Sequence, residues 1–206
     1  MSGLISVAEA RARVLALAPP LPAERVALRH AAGRVLAADV VAGRDQPPFA
    51  AAAMDGYAVA GDPAPGDSLP VIGTAQAGAR HAGPVGPGEA VRIFTGAPVP
   101  EGATRVVIQE DVMAEGGRIV LREGLDAGRH IRPAGVDFRT GDRLDAPRRL
   151  RPADVALIAA MGAPEVTVAR RPVVAVIATG DEIVLPGATP GPDQIFASNL
   201  YAILAL

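Results

Sequence analysis

The sequence predicts a multidomain chain of mixed α and β structure. An α/β linker domain is interrupted by an inserted all-β module and is followed by the start of a truncated parallel α/β domain. Three observations carry this expectation. Between about Asp45 and Asp137, short β-branched runs alternate with Gly/Pro clusters, the texture of strands and turns. Helical pattern lies on both sides of that stretch. At Arg171 a continuous apolar run begins, Arg171-Pro-Val-Val-Ala-Val-Ile-Ala178, as expected for a strand buried on both faces of a parallel sheet.

The elements follow in order. Residues 6–17 read as a helix: Ser6 and Glu9 have capping-box spacing, and Val7, Ala10, Val14 and Leu17 share one face. Pro19 and Pro20 stop it. Val26 and Leu28 alternate with polar neighbours, as in a short strand, and residues 34–41 are apolar but ambiguous. Strands are expected near 57–59, 69–72, 90–94, 105–108 and 118–121. A helix over 151–161 has a proline in its first turn and Gly162 just past its end. Residues 166–168 read as a strand. Ser198 is placed to cap a last helix through Leu200, Ile203, Leu204 and Leu206. This divides the chain into 1–43 with 138–170 (the linker domain), 44–137 (the β-module) and 171–206. One strand and one helix do not complete a parallel sheet, so the last unit is expected to be cut off and the sequence to be a fragment.

Composition narrows the function. Of 206 residues, 50% are apolar and 20% charged, which is ordinary for a globular protein. The net charge is −2 and no basic block occurs, so nothing asks for nucleic acid or an anionic membrane. The absence of cysteine excludes disulfides and thiolate metal sites. All basic side chains except histidine are arginine, and alanine, glycine and proline abound, which reflects a GC-rich coding genome more than a function. Aromatics make up 3% with no tryptophan, too few for a base-stacking platform. The first residues lack a secretory pattern, and the longest apolar stretch, 173–178, is far too short to span a bilayer. Cytoplasm is the expected compartment.

Four motifs have the residue types for chemistry. In Met54-Asp55-Gly56-Tyr57-Ala58-Val59, the Asp-Gly pair before a strand is in isolation more often a turn than a site. Phe94-Thr95-Gly96-Ala97-Pro98 offers a hydroxyl and close backbone approach, though a loop entering a proline-rich turn explains it equally. Ile131-Arg132-Pro133-Ala134-Gly135-Val136-Asp137 sets an arginine and an aspartate about a glycine bend, or merely forms a solvated pair. Thr179-Gly180-Asp181-Glu182 is the strongest. It places two carboxylates past the end of the expected parallel strand, where ligands of open α/β sheets bind. Adjacent carboxylates repel unless a cation or proton offsets them. His30, His81 and His130 lack ligand spacing, the glycines at 83–88 lack the remainder of a P-loop, and Arg148, Arg149 and Arg151 read as a solvated face.

In this order the motifs resemble the molybdopterin molybdenumtransferase family, the MoeA and gephyrin E-domain proteins. The resemblance adds Gly33-Arg-Val-Leu-Ala-Ala-Asp39, Pro47-Pro-Phe49, Arg92-Ile-Phe-Thr-Gly-Ala-Pro-Val-Pro-Glu-Gly102, Val106-Val-Ile-Gln-Glu110 and Ser198-Asn199. It implies an elongated homodimer in which the β-module interrupts the linker domain and an α/β molybdopterin-binding domain follows. It also implies transfer of molybdate to adenylated molybdopterin (molybdopterin-AMP), with AMP released and Mg²⁺ assisting. An upstream molybdopterin adenylyltransferase would donate the substrate. By the same resemblance Asp55, Thr95, Asp137 and Glu182 are active-site residues, with Asp55 and Glu182 toward the metal. Gly180, Asp181, Ser198 and Asn199 are toward the pterin phosphate or nucleotide. One departure is Ala50-Ala51-Ala52, where many members carry Asp-Asn-Ser; it reduces the polar lining of the Asp55 loop. Two competing readings are another nucleotide-pyrophosphate enzyme of the molybdopterin-binding fold and a non-catalytic dimerisation scaffold.

Overall fold

The computed structural model describes residues 4–206. Residues 1–3, the first of the segment assigned to 1–43, lie outside the described residues. Helices and strands are both present, as the sequence requires. The chain forms two compact units, Ala23–Val168 and Met1–Pro22 with Ala169–Leu206.

The first helix, α1 (Val7–Ala16), belongs to the smaller unit. The Ser6 hydroxyl accepts the Glu9 backbone N–H at 3.1 Å, so the expected cap forms. Its apolar face is not buried: Val7, Val14 and Leu17 are exposed.

In the larger unit, β1 (Ala23–Ala27) is a strand, but it ends before Leu28, which opens a 3₁₀ turn. The ambiguous stretch resolves into β2 (Val35–Leu36) and β3 (Val40–Val41). Next come β4 (Ala51–Ala52), β5 (Gly56–Val59), β6 (Ser68–Ala75), β7 (Ala90–Ile93), β8 (Arg105–Ile108), β9 (Val112–Glu115), β10 (Arg118–Leu121), β11 (Ile131–Arg132), β12 (Arg143–Leu144) and β13 (Arg148–Arg149). Helix α2 (Pro152–Ala160) and β14 (Glu165–Ala169) complete it.

One four-stranded sheet has the order β1-β14-β2-β13. Its core joins Leu36, Val40, Leu144, Leu150, Ile158 and Val168, residues far apart in sequence. Helix α2 starts as expected, with proline in its first turn. The Asp154 carboxylate accepts the Arg151 backbone N–H at 2.9 Å, one arm of a capping box. The arginine cluster is more than a solvated face. Arg148 and Arg151 both reach the buried Asp154, at 3.2 and 3.1 Å, because a buried carboxylate needs partners for its charge. Their hydrogen bonds hold Asp154 well below the usual carboxylate range, at about 2; the Arg151 side chain is the largest cause.

The second sheet has six strands in the order β8-β5-β7-β6-β10-β9. Its strands pair antiparallel except β6 with β7, which run parallel. Alternation along the strands gives it two faces. Ala58, Val91, Ile93 and Val106 pack on one; Tyr57, Val59, Ala90 and Val107 pack on the other with Ile119 and Leu121. Gly56 lies where β5 passes β8, and a Cβ there would sit 2.0 Å from the Val107 carbonyl oxygen, so only glycine fits.

The segment 171–206 departs from expectation. Residues 173–178 form no strand, and Val173 and Ile177 are 100% and 82% exposed. A strand requires a neighbour for its backbone donors and acceptors, and no strand among the described residues pairs with these. The parallel pairing that is present lies later, between β15 (Ile183–Val184) and β16 (Ile195–Phe196). Helix α3 (Ser198–Leu204) follows, with Ser198 inside its first turn. The capping position falls to Ala197, which offers no side-chain bond. No helix of the described residues is long and apolar enough to cross a membrane.

Candidate functional site

The structure brings two of the expected residues into direct contact at one end of the six-stranded sheet. Asp55 immediately precedes β5, and Thr95 follows β7, the antiparallel neighbour of β5. Asp55 Oδ1 accepts both the Thr95 backbone N–H at 2.8 Å and its hydroxyl at 2.7 Å. Thr95 sits in a turn closed by the Ala97 N–H to the Phe94 carbonyl at 2.9 Å, and Gly96 supplies its positive φ of 80°. The turn is tied down by main-chain bonds, Gly96 N–H to the Ala52 carbonyl and Ala52 N–H to the Ala97 carbonyl.

That anchoring explains how the Asp55 loop accommodates Ala50-Ala51-Ala52. Ala51 and Ala52 are buried strand residues, and Ala52 packs in the sheet core. The loop is therefore shaped by backbone bonds that alanine makes as well as any polar residue.

The surroundings of Asp55 favour its ionised form. Its pKa is lowered, first by the Thr95 backbone N–H, then by the Thr95 hydroxyl, with a further contribution from the charge of Arg92; partial burial works the other way. Its second oxygen accepts no hydrogen bond among the described residues.

Around this pair lie residues that the motifs contain but to which the sequence reading gave no site role. Arg92 stands opposite Tyr57 in the β5–β7 register. Its guanidinium lies 5.0 Å from the Tyr57 ring centroid and 4.6 Å from that of Phe94. It donates to the Gly56 carbonyl at 3.0 Å and to Gln109 Oε1 at 2.8 Å. The Gln109 N–H in turn donates to the Asp55 carbonyl at 3.1 Å. The available signal was the spacing of Arg92 and Phe94, two apart and hence on one strand face; the Tyr57 contact depends on register. Beside Arg92 and Tyr57 is a hollow of about 430 Å³ that Val71 and the β9–β10 turn also line.

Asp137 is held separately. Arg132 donates to its Oδ1 at 2.5 Å, and its backbone N–H donates to the Gln46 carbonyl. Arg132 lies on β11, which pairs with β4, the strand shortly before Asp55. No hydrogen bond or ion pair joins Asp137 to Asp55 among the described residues. The expected placement of Glu182 at the carboxyl end of a buried strand is corrected: 173–178 is not a strand, and Glu182 is exposed just before β15. Gly180 and Asp181 form the turn ahead of it, closed by the Ile183 N–H to the Gly180 carbonyl. A Cβ at Gly180 would meet the Glu182 carboxylate at 2.3 Å, and its φ is 139°. Ser198 and Asn199 are exposed at the start of α3. Among the described residues no three metal-ligating side chains converge.

Known proteins resemble this chain in sequence and in fold. Residues 5–162 match the family model described as the MoeA N-terminal region, domains I and II. The molybdopterin molybdenumtransferase of Nostoc sp. is 38% identical over 190 residues, covering 89% of this chain and 44% of that protein. Molybdopterin molybdenumtransferase 1 of Mycobacterium tuberculosis is 37% identical over 222 residues, covering 97% and 52%. A crystal structure of the molybdopterin biosynthesis MoeA protein from Pyrococcus horikoshii superposes with a TM-score of 0.77 at 35% identity, covering 89% of this chain and 51% of that one. The chain thus spans about half the length of the relatives it matches. By motif, fold and similarity together, it belongs to the MoeA N-terminal-region family.

Proposed function

We propose that this chain is the N-terminal part of a molybdopterin molybdenumtransferase. It would act in molybdenum cofactor biosynthesis by transferring molybdate to adenylated molybdopterin with release of AMP. The observation that supports this most directly is the Asp55–Thr95 pair, in a chain 37–38% identical to proteins of that name. Cleaving a pyrophosphate linkage builds negative charge that must be offset. A cation would offset it, and a carboxylate fixed by two donors on one oxygen would present the other to that cation without first reorganising.

The donor set fits Mg²⁺ only in part. The ion commonly takes one or two carboxylates, with waters and substrate phosphates completing its shell. Asp55 is the residue of the larger unit that would hold it, and no group of three metal-ligating side chains is present among the described residues. When bound, the ion would neutralise phosphate charge and polarise the bond to be broken. In this reading Thr95 fixes the direction of the Asp55 carboxylate, and Asp137 with Arg132 offers a further charged pair. Gly180 and Asp181 shape the turn before Glu182, and Ser198 and Asn199 present polar groups to the pterin phosphate or nucleotide. The reading includes a homodimer and an upstream adenylyltransferase as donor.

The test is conversion of adenylated molybdopterin and molybdate to cofactor by the full-length protein. Asp55→Asn is expected to lower turnover by roughly a hundredfold or more, with the melting temperature nearly unchanged. Wild-type turnover in this variant would reduce Asp55 to a turn residue.

A further inference from the structure

The polar end of the six-stranded sheet is built around a side chain outside the expected site residues. We propose that Arg92 is the positioning residue of the Asp55–Thr95 pair, bracing the two turns that carry them so that the second oxygen of Asp55 faces a ligand. The proposal takes Asp55 as the ligand-facing carboxylate of the function proposed above, and it assigns Arg92 no contact with substrate.

Four contacts carry it, three of them to a residue next to the pair or bonded to it. Arg92 Nη1 holds the carbonyl of Gly56, the residue after Asp55. Arg92 Nη2 holds Gln109, whose own N–H holds the Asp55 carbonyl. The guanidinium lies by the ring of Phe94, the residue before Thr95, and by that of Tyr57. One rigid planar group therefore links β5, β7 and the end of β8 where they carry the pair. Such a link needs arginine. A guanidinium stacks on aromatic rings while its edges donate in two fixed directions, whereas an ammonium is a point charge on a flexible stem.

The molecule contains its own control. Asp45 Oδ1 accepts the Thr140 backbone N–H at 2.8 Å and the Thr140 hydroxyl at 2.9 Å, the same two bonds that Asp55 makes. Both aspartates are shifted to lower pKa, first by the threonine N–H in each case. Among the described residues, stacking of an arginine on aromatic rings occurs at the Asp55 pair and not at this one. A change at Arg92 that acts through position will therefore separate the two pairs, and a general loosening of the fold will not.

The experiment is amide hydrogen exchange by NMR on the 206-residue chain, reading Thr95 with Thr140 as reference. In Arg92→Met, Thr95 exchange is expected to rise by roughly tenfold while Thr140 stays at its wild-type rate. Arg92→Lys keeps the charge but cannot bridge Gly56 and Gln109, so it is expected to behave like Arg92→Met. Gln109→Leu removes one arm and is expected to give a smaller rise. Three outcomes overturn the proposal: an unmoved Thr95 in Arg92→Met, full restoration by Arg92→Lys, or parallel rises at Thr95 and Thr140. These readings do not depend on turnover, so failure of the proposed reaction and failure of the positioning role are told apart.

Discussion

Residues 90–93 and 173–178 are both rich in β-branched side chains, yet they end in opposite states. The first, Ala-Val-Arg-Ile, becomes β7, paired on one side with β5 and on the other with β6, and Val91 and Ile93 are fully buried. The second, Val-Val-Ala-Val-Ile-Ala, is the more apolar of the two and stays without regular structure, with Val173 and Ile177 open to solvent. Side-chain pattern makes a segment suitable for a sheet; neighbours that take up its backbone hydrogen bonds make it a strand. Within the β-module those neighbours are present, and the Asp55–Thr95 pair is a direct product of them, since it forms where β5 and β7 come together.

The contrast can be broken most severely at Gly56. A methyl group there meets the Val107 carbonyl oxygen at 2.0 Å, so the ladder between β5 and β8 must part. Gly56→Ala is expected to cost more than about 4 kcal/mol and to leave the β-module unfolded by circular dichroism. A native-like melt in this variant would show that the sheet is looser than its packing implies.

A matched pair of substitutions measures the contrast itself. Ile93→Ala opens a cavity in a fully buried position and is expected to destabilise by about 2–5 kcal/mol. Ile177→Ala removes an exposed side chain and is expected to change stability by less than about 0.5 kcal/mol. Equal losses in urea titrations of the 206-residue chain would mean that 173–178 is buried after all.

The smallest expected effect separates the pH response of the four-stranded sheet's helix from that of the exposed segment. Asp154 has a folded pKa of about 2, below an ordinary aspartate value of about 3.9 in the unfolded chain. A depressed carboxylate contributes stability that is complete above the unfolded value and is lost as pH falls through the folded one. Acid titration between about pH 4 and pH 2 should therefore destabilise wild type more than Asp154→Asn. Parallel acid profiles for the two proteins would show that the Arg148 and Arg151 bonds contribute nothing in solution.

The amino-acid sequence by itself determined the features set by residues a few positions apart. The Ser6–Glu9 cap of α1, the proline start of α2 and the glycine after it, and the strand-and-turn texture of the β-module are all legible, because capping and alternation depend on neighbours within about one turn or one pleat. The motif containing Asp55 and the one containing Thr95 were legible too, but not that the two side chains would meet. Only the tertiary structure decided that Tyr57 faces Arg92, that Arg148 and Arg151 converge on a buried Asp154, that Ala51 and Ala52 turn inward, and that 173–178 is left unpaired. Each of these depends on register or on a partner distant in sequence, and a shift of one residue in register turns every side chain of a strand to the opposite face.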